Sequence, residues 1–497
     1  MTISFNSIPE DVAVPLFWAE MDNSQANTAS GSQPSIIFGH PVADSSLPVA
    51  ELVLVSSVSE IRQRYGAGSQ IARMVAAYRA IDSTGPLWAI SVPEPEGTYA
   101  SGEIMLTGQV INAGVISLYI GKTRIQTVIS AGDDLATVAA NLADNINTKA
   151  DLPVDALVDD TTVTLTAKNV GLCGNGIPLS VNYYGSAGGE HLPDGVMVTL
   201  TPMAGGEGAP DLTEAVSILG DEEADFIAFP YSDSASLDAI KLAMNDTSGR
   251  WAPGRQTYGH VYSAMADTLE NLQAFGAMRN DQHVTLSGFE IDTQTCTDEL
   301  AAMTAARNAV FIRADPARPT QTGELNGALP APAGKRFNKT QQNVLLGSGI
   351  ATCYAQSGGL YIQRAITTYQ MDSFGNADNS YLDSETLHTS AYVLRTLETC
   401  VTSKYPRVKL ANDGTRFGPG QAIVTPAVIK AEMCAQYQIM EEAGIVENFD
   451  LFKQYLVVER DKNDSNRVNV LFPADYINQL RVFALVNQFR LQYQEAA

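Results

Sequence analysis

The chain has 497 residues, 45% of them hydrophobic, and carries 31 lysine and arginine residues against 55 aspartate and glutamate residues, a formal net charge of −24. This length allows two to four domains, and the charge opposes nonspecific binding to nucleic acid or to an anionic membrane. No stretch approaches the roughly 18 consecutive apolar residues of a membrane helix, and the N-terminus lacks a signal-peptide pattern, so we expect a cytoplasmic product with no membrane insertion and no direct nucleic-acid binding.

The chain opens with an apolar segment followed by a polar run, "NSQANTASGSQ". The apolar side chains in this opening are Ile3, Phe5, Val12, Val14, Leu16, Phe17 and Trp18. Their period-two alternation after residue 11 predicts a strand, and Pro9 and Pro15 confine it to a sheet edge. We assign residues 1–35 to an N-terminal arm with a flexible linker.

The next segments alternate between strand and helix patterns. "SIIFGH", "AELVLVSSV" and "GPLWAISVP" read as strands, and "SQIARMVAAYRAI" reads as a helix. The same alternation resumes at residue 211 and continues to 315, which favours a partly parallel sheet covered by helices. We therefore predict one discontinuous α/β domain from 36–96 and 208–315.

Residues 97–207 differ from the flanking segments in their secondary-structure pattern. Short strand patterns such as "GVISLYIG" and "TVTLTAKN" are separated by Gly, Asn and Asp turns, and one helix, "LATVAANLADNIN", interrupts them. The predicted structure is a β-rich domain inserted between "PEPEG" and "AGGEGAP".

The remainder, 316–497, is predicted to be an α+β domain that begins with a Pro- and Gly-rich linker at 316–345. It contains the strand "GLYIQRAITTYQ", two helices and the strand "RVNVLFP". A last strand is predicted over 480–494, because Phe489, Leu491 and Tyr493 alternate with polar residues almost to the chain end. Chain ends usually fray, so such a strand implies a binding partner. The fold class is thus α/β plus α+β, multidomain.

Five cysteines are odd in number, far apart and never in a CxxC pair, which argues against disulfides and a zinc site and predicts buried thiols. They are Cys173, Cys296, Cys353, Cys400 and Cys434.

Two motifs invite a ligand site and fail. Gly121 and Lys122 suggest a phosphate-binding loop, but the required earlier glycine is Ile116, so we predict a hairpin turn. The acidic run "DSFGNADNSYLD" has Phe374 and Ala377 where a calcium loop needs an oxygen ligand and glycine. We interpret it as a loop with a helix cap at Asp383 or Ser384, with a metal site as the alternative.

The five histidines form no zinc-binding pair, and Ser348 lacks the glycine of a hydrolase elbow because residue 346 is leucine. We therefore predict no catalytic residue, no cofactor and no metal.

Reach and energy indicate what the two ends do. A 34-residue arm extends to about 110 Å, whereas a compact body of this length has a radius of gyration of about 23 Å. Burying the seven apolar side chains contributes on the order of 10–20 kcal/mol, but ordering about twenty residues costs on the order of 20–40 kcal/mol. Backbone pairing with another chain's sheet must supply the rest, and two adhesive ends on one subunit predict a polymer.

Several segments resemble the contractile tail sheath proteins of Mu-like bacteriophages. These are "SIPEDVAVPLFWAEMDNSQA", "YIQRAITTYQMDSFGNADNSYLDSETLHTSAYVLRTL", "YPRVKLANDG" and "VNVLFPADYINQLRVFALVNQFRLQ". The resemblance implies a homo-oligomer of stacked hexameric rings around a tail tube protein, between baseplate and tail terminator proteins. On triggering, such a sheath contracts and drives the tube through the host envelope.

The resemblance also implies that both chain ends complete a neighbour's sheet, that 316–497 faces the tube and that 97–207 lies outermost. The candidate C-terminal arm residues are Phe483, Leu485, Phe489, Leu491 and Tyr493. The candidate intersubunit charges are Arg395, Lys404, Arg407 and Arg460. Two alternatives stay open: the sheath of a phage-derived bacteriocin or secretion device, and a cytosolic α/β enzyme with a dispersed site.

Overall fold

The computed structural model describes residues 33–42 and 50–491. The predicted N-terminal arm residues, from Ile3 to Trp18, and Tyr493 at the other end lie outside the described residues.

The secondary structure of the described residues alternates strands and helices over most of its length. The strands are β1 (Ser35–Gly39), β2 (Leu52–Leu54), β3 (Leu87–Ser91), β4 (Tyr99–Gly108), β5 (Gly114–Ile120), β6 (Thr123–Ile129), β7 (Val154–Asp159), β8 (Thr162–Val170), β9 (Leu179–Val181), β10 (Val196–Ala204), β11 (Phe226–Ala228), β12 (His260–Asp267), β13 (Val284–Glu290), β14 (Glu324–Leu325), β15 (Ala351–Gln356), β16 (Gly359–Arg364), β17 (Lys409–Leu410), β18 (Ile423–Val424), β19 (Val457–Arg460) and β20 (Val468–Leu471). The helices are α1 (Val58–Tyr65), α2 (Gln70–Arg79), α3 (Leu135–Asn147), α4 (Thr213–Leu219), α5 (Ser234–Met244), α6 (Leu269–Ala277), α7 (Thr297–Ala314), α8 (Lys339–Leu346), α9 (Ser384–Lys404), α10 (Pro426–Glu442) and α11 (Phe449–Tyr455).

A nine-stranded sheet in the order β14-β16-β15-β13-β12-β11-β1-β3-β2 organises the central part. The strands from β15 to β3 run parallel; β2 and β16 run against them at the two sides, and β14 pairs antiparallel with β16 at the far edge. Side chains alternate between two apolar cores: Ile37 faces α2 and α7, whereas Ile36 and Phe38 face α4, α5 and α6. A parallel sheet needs both faces covered, and the predicted mixed α/β class is confirmed.

The sheet continues beyond the point where we predicted a separate C-terminal domain. Strands β14, β15 and β16 pair into it, so its last strand ends at Arg364 rather than before residue 316. The stretch predicted as a linker, 316–345, contains β14 and the start of α8. The pattern misled because β14 is two residues long and prolines and glycines surround it.

The β-rich insertion has its own core. It combines the antiparallel sheet β10-β4-β8-β7, the three-stranded sheet β6-β5-β9 and the helix α3, which buries Val138, Leu142 and Ile146. The predicted hairpin turn is confirmed, because Gly121 and Lys122 join β5 to β6. The left-handed φ of Gly121, 56°, is one that glycine adopts without strain.

Buried charges attach this insertion to the central body. Arg73 on α2 contacts Asp298 at 2.6 Å and Glu299 at 3.2 Å, both in the first turn of α7. Lys122, from the insertion, reaches the second oxygen of Glu299 at 2.6 Å. The Gln294 side chain also donates to the Gly121 carbonyl, 2.8 Å away. The Lys122–Glu299 pair and the Gln294–Gly121 bond cross between the two parts, and Arg73 holds the same acidic residues from within the body, so the insertion is fixed in orientation rather than loosely tethered.

The C-terminal part packs α9, α10 and α11 around a fourth core with the two small sheets β17-β18 and β19-β20. Tyr437 stacks on Phe452, with ring centroids 3.7 Å apart, and Phe472 closes over both. In this part the prediction of two long helices and the strand "RVNVLFP" is confirmed as α9, α10 and β20.

The cysteine prediction needs a correction. Cys296 and Cys400 are buried, but Cys173, Cys353 and Cys434 are only partly buried, and none of the five forms a disulfide in the described residues. Among the helices that the structure describes, none is both long and apolar enough to cross a bilayer.

The buried charge network predicts a large stability effect at one arginine. Replacing Arg73 with methionine leaves Asp298 and Glu299 with only Lys122 as a counter-charge, and we expect the free energy of unfolding to fall by about 3–5 kcal/mol. Urea denaturation measures this loss, and limited proteolysis at 93–97 should accelerate. Arg62→Met is the matched control: its pair with Asp151 also joins the body to the insertion but is 40% and 57% exposed, so we expect a loss below about 1 kcal/mol. Equal effects would contradict the assignment.

Three buried histidines predict acid sensitivity of the folded subunit. Burial lowers the pKa of His40 to about 4, that of His388 to about 3, and that of His260 well below its usual value. The unfolded chain therefore binds more protons below about pH 6.5, so stability is complete above that pH and falls as pH decreases. We expect a loss of about 1 kcal/mol per histidine between pH 7 and pH 5.5.

Urea denaturation at the two pH values measures this effect, and His388→Gln should remove about one third of it. Stability that is the same at pH 7 and pH 5.5 would contradict the prediction.

Candidate assembly interface

The hairpin β19-β20 is a two-stranded sheet with open edges. Val457 pairs with Leu471 and Arg460 with Val468, and no other described strand bonds to either outer edge. The helix α10 covers one face, where Val458 packs beside the fourth core. A two-stranded sheet is marginal alone, and its free amides and carbonyls are a template for a further strand.

The outer face of this hairpin is apolar at its open end and carries Glu459 and Asn469 nearer the turn. Val457 and Leu471 lie opposite each other and are 46% and 63% exposed. Tyr455 and Leu451 of the preceding helix are also exposed. The hairpin therefore offers both unpaired backbone groups and an uncovered apolar surface.

The chain leaves β20 along the surface of the C-terminal core and is held there by backbone bonds. The amide of Glu447 donates to the Asp475 carbonyl at 2.9 Å, and the amide of Ile477 donates to the Ile445 carbonyl at 3.1 Å. The Gln479 side chain donates to the Ala317 carbonyl at 2.8 Å. The tail is therefore fixed as far as residue 479.

Arg481 fixes the last point before the tail emerges. Its guanidinium lies 3.2 Å from Asp383 and 3.0 Å from Glu385, with the arginine side chain 10% exposed and that of Glu385 fully buried. These are ion pairs by distance and not aligned hydrogen bonds. Glu385 also accepts the amide and hydroxyl of Thr320, and Arg364 forks onto Asp383 with two bonds of 2.8 Å. Asp383, predicted as a helix cap, occupies the N-cap position of α9, but its carboxylate pairs with Arg364 and Arg481 and makes no capping hydrogen bond.

Beyond Arg481 the tail is exposed. Phe483, Leu485, Phe489 and Leu491 are between 76% and 96% exposed. The single chain has no strand from 480 to 491, and the predicted strand, which needs a neighbouring subunit, stays a prediction. The physical reason is that period-two alternation supplies an apolar face but no partner for the backbone, and the described chain provides none.

The N-terminal arm joins the body close to the root of this tail. Gln33, the first described residue, accepts a hydrogen bond from Arg313 at 2.8 Å. Gln33 also lines a cavity of about 460 Å³ together with Tyr392 and Ile445. Because Ile445 also accepts a hydrogen bond from the Ile477 amide, the first described residue lies close to the tail segment around Ile477.

The four candidate charges differ in their surroundings. Arg395 pairs with buried Asp225 and lies over the ring of Tyr258, which argues against an intersubunit role because its charge is already neutralised inside the chain. Lys404 pairs with Glu432 at 2.6 Å.

Arg460 donates to Asn412 at 2.9 Å and to the Ser465 carbonyl at 2.6 Å. Arg407 is exposed and forms no ion pair with the residues that the structure describes.

Sequence reasoning missed Arg481 and the open hairpin. A single arginine inside a predicted strand gives no sign of partners about a hundred residues earlier. The only available signal was the pair of acids at Asp383 and Glu385 at the start of a helix, where buried carboxylates need a counter-charge. The described residues contain no group of three or more histidine, cysteine, aspartate or glutamate side chains placed to hold a metal ion.

Comparison with known proteins places the chain in a family. The model of the phage tail sheath protein central domain matches residues 205–368, and that of the phage tail sheath C-terminal domain matches residues 376–490. The Mu-like prophage FluMu tail sheath protein of Haemophilus influenzae is 38% identical over 498 residues, which cover 99% of this chain and 100% of that protein.

Among solved structures, the sheath tail protein of Listeria innocua is similar with a TM-score of 0.48, 12% identity and coverage of 91% of this chain and 94% of that one. The sheath tail protein of Desulfitobacterium hafniense has a TM-score of 0.46, 12% identity and coverage of 94% and 100%. The family rests on the full-length relative and on the two domain matches: this chain belongs to the phage tail sheath protein family.

Proposed function

We propose that the chain is the repeating subunit of a contractile tail sheath that polymerises around a tail tube by exchanging terminal strands. In this proposal the subunits form stacked hexameric rings between baseplate and tail terminator proteins, assembled in the host cytoplasm. Contraction of the sheath drives the tube through the host envelope for genome delivery.

One observation carries the proposal: a hairpin whose outer edges pair with no other described strand and an exposed apolar tail lie on the same chain. The acceptor is the hairpin β19-β20 with its open edges. The donor is the exposed tail beyond Arg481, which carries Phe483, Leu485, Phe489 and Leu491 at odd-numbered positions, interrupted by Asn487. Strand addition satisfies both at once, since it pairs the free backbone groups and covers the apolar faces.

The same arrangement explains why the contact extends into a polymer. A tail given to one neighbour and a hairpin offered to another make a heterologous contact, and such contacts form rings or helices rather than closed dimers. The arm of residues 1–35 adds a second donor, with Ile3 to Trp18 as its strand and the polar run as its tether.

The proposed movement is a rigid-body rearrangement of whole subunits. The internal contacts support this, because Lys122 and Gln294 join the insertion to the body and Arg481 holds the tail root. Residues 316–497 face the tube and residues 97–207 lie outermost. Covalently attached strands stay in their neighbours while the bodies rotate, so the stored energy resides in the extended packing.

Removal of either terminal arm tests the exchange. Full-length protein should form hollow tubes by electron microscopy, whereas variants lacking 1–22 or 482–497 should stay dispersed at the same concentration. Within the tail, Phe489→Ser should raise the concentration for half-maximal assembly about tenfold, because a buried phenylalanine is worth about 1.5–3 kcal/mol. Val486→Ser is the matched control on the opposite face of the same strand and should have the smaller effect. Tubes from both truncations would overturn the proposal.

Release of the tail root tests the role of Arg481. Arg481→Gln leaves the buried carboxylate of Glu385 without its cation, and we expect the free energy of unfolding to fall by about 3 kcal/mol. Amide hydrogen exchange at 476–480 should accelerate, because the segment loses its anchor. Arg407→Gln provides a control on an exposed arginine, where we expect no measurable loss. Unchanged exchange in Arg481→Gln would show that the tail is held by other contacts.

A further inference from the structure

The loop over residues 370–378 presents an aromatic side chain to solvent from a well-ordered support. Phe374 at its tip is 89% exposed. Beneath it, one oxygen of Asp372 accepts the amides of Phe374 and Asn376, both at 2.9 Å, and Met371 bridges to Ala377. A large apolar side chain held out in this way gains nothing for the single subunit.

The base of this loop is fixed to the central body. The Asn280 side chain accepts the amides of Gln370 and Met371 at 2.7 and 3.1 Å and donates to the Met371 carbonyl at 2.9 Å. Hydrogen bonds lower the pKa of both loop carboxyls. The largest effect on the pKa of Asp372 comes from the backbone amide of Asn376, and the largest effect on the pKa of Asp378 comes from the Tyr369 hydroxyl. Both carboxylates therefore keep their negative charge beside the exposed ring.

A cavity whose lining includes two cationic residues, in contrast to the acidic loop, lies elsewhere on the central body. It has a volume of about 450 Å³, and its walls include Phe337, Tyr354, Arg336, Lys339 and Glu290. Two aromatic rings and two cations thus face one carboxylate in a chain whose net charge is −24. Pockets of roughly 300–1,000 Å³ accept small organic ligands, so a phenyl ring with its flanking backbone fits by volume.

The loop and the cavity lie at opposite ends of strand β13. The loop side is fixed by the amide of Thr368, which donates to Val284 at the start of the strand at 2.9 Å. The cavity side is fixed by Glu290 at its end, which accepts the Phe337 amide at 2.8 Å. Seven residues at about 3.3 Å each separate these points by about 20 Å, so the loop cannot fill the cavity of its own chain.

We propose that Phe374 of one subunit inserts into the Phe337–Tyr354 cavity of the next, with the loop carboxylates against Arg336 and Lys339. A protrusion and a complementary cavity at opposite ends of one strand make a head-to-tail contact that propagates through successive copies. This contact rests on the proposed polymerisation but does not use the terminal arms, and it involves the central body rather than the C-terminal hairpin.

Surface variants test the contact without disturbing the fold. Phe374→Ser should raise the concentration for half-maximal tube formation about tenfold, whereas Leu157→Ser, at a 74% exposed position on the insertion, should leave it unchanged.

Lys339→Glu should weaken assembly severalfold while suiting the first turn of α8, where acidic residues are favoured. Ser373→Lys at the loop tip, added to Lys339→Glu, should restore it. Tubes unaffected by both Phe374→Ser and Lys339→Glu would overturn the contact.

Disulfide trapping identifies the occupant of the cavity. In tubes oxidised after assembly, the double variant Phe374→Cys with Lys339→Cys should give a ladder of covalent multimers. A mixture of the two single variants should give dimers, and each single variant alone should match the wild-type background of the five native cysteines. Intact tubes without a ladder overturn this inference and leave strand exchange standing. Cross-linking of Phe374→Cys to a tail tube protein instead of another copy also overturns it. Failure of wild-type protein to form any tube would overturn the polymerisation and the inference together.

Discussion

Every β-strand must pair its backbone amides and carbonyls, and the subunit meets this requirement in two contrasting ways. The central sheet ends in very short strands, β2 with three residues and β14 with two, which leave little free edge for unwanted pairing. The hairpin β19-β20 leaves both edges open and exposes Val457 and Leu471 on its outer face. The subunit is therefore closed to association along its largest sheet and open at its smallest. The proposed assembly depends on this difference.

The buried ion pairs inside the subunit fix its parts relative to one another, whereas the open hairpin and the tail are available to neighbours. Buried ion pairs occur where one part of the chain must keep a fixed orientation to another: Arg73 at the base of the insertion and Arg481 at the root of the tail. Buried ion pairs add little net stability compared with apolar packing but fix geometry when all partners are present. Rigid bodies joined by covalent arms can change their mutual packing while each keeps its internal structure.

Sequence reasoning succeeded where a segment carries a long, regular period. The strands β1 and β3 and the helices α2, α3 and α10 follow directly from their apolar spacing, and the Gly121–Lys122 turn follows from the strands on either side. It failed for α1, in which only Ile61 and Tyr65 are buried, and for β7 and β15, in which burial does not alternate along the strand. The boundary at 316 failed because edge strands of two to six residues give no pattern strong enough to place them in a distant sheet.

At the candidate interface the sequence predicted which side chains of the tail share a face but not the state of the backbone. Alternation from Asn487 onward is a property of one strand, whereas a strand forms only with a second one. The partners of Arg481 could not be predicted from the sequence either, because the packing of α9, and not any local spacing, brings Asp383 and Glu385 to it. These gaps are long-range contacts, which a single sequence does not encode locally.

The cavity between Gln33 and Ile445 has a mechanical consequence, because it lies next to the N-terminal arm and to the tail segment that Ile445 holds. Gln33 and Ile445 line the same space, so a pull on the N-terminal tether and a pull on the C-terminal tail enter the subunit at neighbouring points. In a sheath linked by these ends, tension on the N-terminal arm would enter β1 and the central sheet and cross this cavity to the C-terminal core and the tail. The insertion lies off that path and would not bear the load. Its size and outer surface are then free to differ between relatives while the spacing of the linked subunits stays the same.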